Sequence, residues 1–99
     1  MILKISNGKL ELRKDNGSLV RTICPKDVVD ADLSHDGSLI VVTLNNGRVD
    51  LRKENGSLVR NIVPHDAIGA RWAGDDIAVR RKDGKTVLRK QSGSLIRII

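Results

Sequence analysis

Apolar residues fall in short runs along this chain, rich in Val, Ile and Leu and often alternating with polar ones, and Asn-Gly, Asp-Gly or Ser-Gly separates many of the runs. A period of two sends side chains to alternate faces of an extended strand, and such dipeptides supply the positive φ of tight hairpin turns. No run leaves room for a helix of about ten residues. The pattern predicts eleven strands, at 2–6, 9–14, 18–23, 28–34, 38–44, 48–53, 57–63, 67–73, 77–81, 86–90 and 94–99, and therefore an all-β fold. Pro25 and Pro64 come just before the runs opening at Val28 and Ala67. Their missing N–H and fixed φ suit connections between sheets, so they mark unit boundaries.

The pattern also repeats in identity. Asn7 to Ile23 recurs 39 residues later as Asn46 to Ile62 with 12 of 17 positions unchanged, and a third copy opens at Asp83-Gly84-Lys85 after a step of 37. This third copy keeps Leu88-Arg89-Lys90, Gly93-Ser94-Leu95, Arg97 and Ile99. Between the copies lie two related segments, opening at Val28 and Ala67, in which Trp72 falls where Leu33 stands. The expected organisation is one repeat domain over 1–99 with units at about 1–24, 25–63 and 64–99, each of four antiparallel strands except the first, which lacks one.

These residues resemble the blades of WD-repeat β-propellers. Val28 to Leu33 with the turn Ser34-His35-Asp36-Gly37 is similar to the family's first strand and Ser-x-Asp-Gly turn, Asn46-Gly47-Arg48-Val49-Asp50-Leu51 to its third strand, and Asn55-Gly56-Ser57-Leu58 to its Thr-Gly turn. The family's Trp-Asp pair is replaced by Arg13-Lys14, Arg52-Lys53 and Arg89-Lys90, and only His65 approximates its Gly-His position. The resemblance implies antiparallel four-stranded propeller-like blades and a non-enzymatic module that binds proteins or serves as a scaffold. Propellers close with roughly four to eight blades, and end faces left open are apolar. This chain supplies fewer than three, so the expected ring is completed by oligomerisation, as a dimer or trimer. A share in a larger propeller is one alternative. A three-sheet β-prism is another, closing within one chain and lectin-like in function.

Composition narrows the partners. Trp72 is the single aromatic among 99 residues, so the core is built from Leu, Ile, Val and Ala, and platforms for stacking bases are nearly excluded. Apolar runs such as Leu39-Ile40-Val41-Val42 are too short to span a membrane, and Met1-Ile2-Leu3-Lys4 lacks the order of a signal peptide. Cys24 is alone and has no internal disulfide partner. A cytoplasmic protein without membrane contact is expected.

Charge adds a second candidate function. Residues 67–99 hold 8 basic and 3 acidic side chains against 10 and 9 in residues 1–66. Arg80, Arg81, Lys82, Lys85, Arg89 and Lys90 lie on successive strands and their turn, a candidate patch for nucleic acid, a nucleotide or another anion, or else a charged edge that resists aggregation. Arginines also return in every unit: Arg13, Arg52 and Arg89 on one strand, Arg21, Arg60 and Arg97 on the next. They suit a guanidinium ring gripping carboxylates or phosphates, or simple cross-hairpin pairing of Arg21 with Glu11 and Arg60 with Asp50, which is the reading expected here. Val87 replaces the acid in the third unit. His35 and His65 each precede an Asp in a turn, with no visible nucleophile or ligand cluster, so no catalytic residue, metal or cofactor is expected.

Overall fold

Each long hairpin is set by its turn. In the computed structural model, which describes residues 1–99, Gly17, Gly56 and Gly93 hold φ at +93°, +92° and +91°, a conformation that costs least for glycine. The residues before them tighten the turn: Asn16 Oδ1 accepts from Ser18 N at 3.0 Å, and Asn55 Oδ1 from Ser57 N at 2.9 Å. The strands are β1 (Ile2–Ser6), β2 (Lys9–Arg13), β3 (Leu19–Cys24), β4 (Val28–Leu33), β5 (Leu39–Leu44), β6 (Val49–Lys53), β7 (Leu58–Val63), β8 (Ala67–Ala73), β9 (Asp76–Arg81), β10 (Thr86–Arg89) and β11 (Leu95–Ile98). All eleven expected strands are present, with ends displaced by at most one residue. They form three antiparallel sheets, ordered β1-β2-β3, β4-β5-β6-β7 and β8-β9-β10-β11.

Alternation decides what each face meets. Leu10 and Leu12 of β2 join Ile23, Val28, Ile40 and Val42 in a core between the first and second sheets. Val41, Val49 and Leu51 join Ile77 and Val79 in another between the second and third. Strand β5 is therefore buried on both sides, with Ile40 and Val42 serving one core and Val41 the other. Both cores include the middle sheet, and neither joins the first sheet to the third. The sheets are thus stacked in series as propeller blades, and the β-prism alternative, which needs three sheets around one shared core, does not hold.

The inner edges of the second and third blades are stitched by polar contacts. Trp72 N donates to Asp32 Oδ2 at 2.9 Å, Trp72 Nε1 to Asp32 O at 3.1 Å, and Arg71 Nη1 to Asp30 Oδ1 at 2.8 Å. The first blade has no strand equivalent to β4 or β8, so β1 is its inner edge. The stack does not close on itself.

Candidate functional site

The repeated arginines divide into two sets with different surroundings. Arg13, Arg52 and Arg89 each donate Nη1 to the carbonyl of the turn glycine four residues on, Gly17, Gly56 and Gly93, at 2.7 Å in all three blades. They lock the hairpins and form no ring. Arg21, Arg60 and Arg97 are exposed and make no side-chain hydrogen bond or ion pair.

The expected cross-hairpin pairs are absent for a geometric reason. A bulge between Leu12 and Arg13 sets Glu11 opposite Thr22 rather than Arg21, and one between Leu51 and Arg52 sets Asp50 opposite Asn61 rather than Arg60. The acids turn to their own strand instead. Glu11, whose side chain is 6% exposed, accepts from Arg13 Nε and Nη2 at 3.2 and 2.8 Å and faces Lys9 Nζ at 3.2 Å. The Arg13 hydrogen bonds, reinforced by Lys9, hold its carboxyl below the usual range. Asp50, one methylene shorter, does not repeat this: it accepts from Arg48 Nε at 2.8 Å and Asn61 Nδ2 at 3.1 Å, and Arg52 Nε is buried without a partner.

In the third blade Val87 stands at the acid's position, and Arg89 Nε is likewise buried without a partner. Of the three repeated arginines Arg13, Arg52 and Arg89, only Arg89 borders a cavity. It holds about 200 Å³ between the β7–β8 connection and the third blade, lined by Val63, Pro64, His65 and Asp66 on one side and by Val79, Arg81, Val87 and Arg89 on the other. His65 Nδ1 lies 2.7 Å from Asp66 Oδ2, and Arg81 Nη2 lies 3.1 Å from Asp83.

The C-terminal basic patch is divided by the pleat. Arg81 and Arg89 share the cavity, whereas Arg80 lies on the opposite face of β9. There its Nη2 and Asp30 Oδ2 lie 3.0 and 2.9 Å from where a Cβ on Gly69 would be. Lys82, Lys85 and Lys90 are exposed, outside the cavity. Composition could not reveal this division. A signal for the cavity existed in the replacement of the acid by Val87, but its consequence falls on Arg89 rather than on Arg97.

A smaller cavity of about 140 Å³ lies by the Ser34–Ser38 turn, lined in part by His35, Asp36 and Trp72. Asp36 is held at a pKa of about 2, chiefly by the Ser38 hydroxyl at 2.7 Å, then by the Ser38 amide and the Ser34 hydroxyl. A carboxylate depressed by folding adds stability above its ordinary pKa of 3.8 and loses it as the pH falls through about 2. Carboxyl NMR titration should therefore show Asp36 ionised at pH 3, and Ser38→Ala should raise its midpoint toward 3.8. An unshifted midpoint in the parent chain would refute the assignment. Cys24 is buried, with Sγ 3.6 Å from Lys26 O, and no three His, Cys, Asp or Glu side chains gather to hold a metal ion.

Stacked antiparallel blades with a buried middle sheet define the class by fold: these are β-propeller blades. Solved structures agree in fold. One is BamB from Moraxella catarrhalis, with a TM-score of 0.78 and 15% identity over 98% of this chain and 32% of that one. Another is the β-propeller domain of Cps50 (Swd1) from Myceliophteria thermophila, with a TM-score of 0.70 and 12% identity over 98% of this chain and 37% of that one. The chain thus spans about a third of the length of each of these two chains. No family model and no curated protein sequence matches it.

Proposed function

We propose that this chain is a non-enzymatic protein-binding or scaffold module whose blades are completed into a ring by further copies of itself. One observation carries the reading: the outer face of the third blade repeats the apolar pattern that is covered in the other two. Leu88 stands where Leu12 and Leu51 are buried, Ile96 where Val20 and Val59 pack on the cores, and Ile99 where Ile23 and Ile62 are buried, yet Ile99 is 73% exposed. The turn glycines agree. An added Cβ at Gly8 or Gly47 would press on the backbone leading into the next blade, at 3.1 and 2.5 Å, whereas Gly84 has nothing within 4 Å.

A second copy presenting its first blade supplies the missing neighbour. Twice the three sheets of one chain falls within the roughly four to eight blades of closed propellers. Such a head-to-tail contact is heterologous and closes only as a ring. A buried, unpaired Cys24 suits a reducing, cytoplasmic setting.

Light scattering at micromolar concentration is the test, and a dimer is expected, since two copies bring six sheets. Leu88→Asp should reduce the assembly to monomer with the strand content of the parent retained. A parent chain that is already a compact monomer would overturn the proposal.

A further inference from the structure

The cavity beside Arg89 has its missing occupant written elsewhere in the same molecule. In the first blade Glu11 fills the corresponding place and takes both Nε and Nη2 of Arg13 while Nη1 holds Gly17 O. In the third blade Arg89 keeps the same anchor, Nη1 on Gly93 O at 2.7 Å, but Val87 brings no carboxylate and Nε is buried without an acceptor. Burying an N–H donor without a partner is unfavourable, and a guanidinium fixed by one bond is already oriented for another ligand. The middle blade separates this from mere loss of a partner: Arg52 Nε is also unpaired, but neither cavity of the structure borders it.

We propose that the cavity between the second and third blades binds a carboxylate, seated on Arg89 Nε and Nη2 as the Glu11 carboxylate is seated on Arg13. Arg81 also lines the cavity but is paired with Asp83 at 3.1 Å, and the acid in the lining, Asp66, lies 2.7 Å from His65 Nδ1, which leaves Arg89 as the cation without a carboxylate partner. The volume, about 200 Å³, lies below the roughly 300–1,000 Å³ of pockets for drug-sized ligands, which favours a glutamate-sized acid over a nucleotide. Such an acid is available as a free small carboxylate or as a glutamate side chain on a peptide. The site lies within one chain and is independent of ring closure.

The test is NMR of the arginine Nε–Hε groups in the full chain at constant ionic strength. Propionate, capped Gly-Glu-Gly and inorganic phosphate are titrated separately against a chloride control. The Arg89 resonance should move and saturate with a Kd on the order of 1 mM for a carboxylate, while that of Arg52 stays in place. Tighter binding of the tripeptide assigns the site to a protein partner, and tighter binding of propionate to a free acid. Either supports a carboxylate site.

Val87→Glu should place an internal carboxylate on Arg89 and abolish the response. No movement of Arg89 with either carboxylate, stronger binding of phosphate than of both, or a full response retained in Val87→Glu would overturn the proposal. Because the parent chain alone can give the first two of these results, the test stands even if the variant does not fold.

Discussion

Gly47→Ala is expected to destabilise the chain by roughly 3–5 kcal/mol, against about 1–2 kcal/mol for Gly17→Ala. Both glycines have positive φ, +87° and +93°, so both substitutions strain the backbone. Only at Gly47 does the new Cβ also collide, at 2.5 Å from Asp66 N and 3.2 Å from Ala67 N, backbone atoms that cannot swing aside as a side chain does. The collision falls on the junction where Ala67 N donates to Gly47 O at 3.0 Å and the chain passes from the second blade to the third. Space around Gly17 is open. Urea unfolding of the two variants measures the difference, and equal losses would show that close blade approach at Gly47 is not what requires glycine there. In a domain with only roughly 5–15 kcal/mol of total stability, the larger loss leaves little margin.

Truncation at the centre of the core should be comparably costly. Leu51 is 1% exposed among Val41, Val49, Ile77 and Val79, and Leu51→Ala removes both transfer free energy and packing, about 2–5 kcal/mol. Its cross-strand neighbour is Arg60, which is exposed and unpaired, so Arg60→Ala should change stability by less than about 0.5 kcal/mol. Denaturant midpoints at constant slope test the pair. A large loss at Arg60 would mean that the repeated arginine does structural work in solution. Leu88→Ala, at the register position of Leu51, should instead give a loss that varies with protein concentration, because the proposed cover of Leu88 is another copy.

The two classes of repeated arginine show why some of the site was legible and some was not. Recurrence alone marks Arg13, Arg52 and Arg89 as equivalent, and their shared bond to a turn carbonyl agrees with that equivalence. Counting residues around a three-residue turn pairs Glu11 with Arg21, but a single bulge shifts the partner to Thr22 and turns the carboxylate toward Arg13. Bulge placement depends on sheet twist and on packing against the next blade, neither of which a local pattern contains. The basic stretch at Arg80, Arg81 and Lys82 is contiguous along the chain, but alternation puts Arg80 and Arg81 on opposite faces of β9.

By itself the sequence determined the strands, their hairpin pairing and the three-unit repeat, because alternation and turn chemistry act between residues near one another along the chain. Tertiary structure alone decided which faces are covered, where the carboxylates lie, and that a cavity with Val87 in its lining opens beside an arginine whose buried Nε has no partner. Those outcomes rest on contacts between blades distant in sequence, where a bulge or a single missing carboxyl group changes what a side chain meets without altering the pattern that formed the strand.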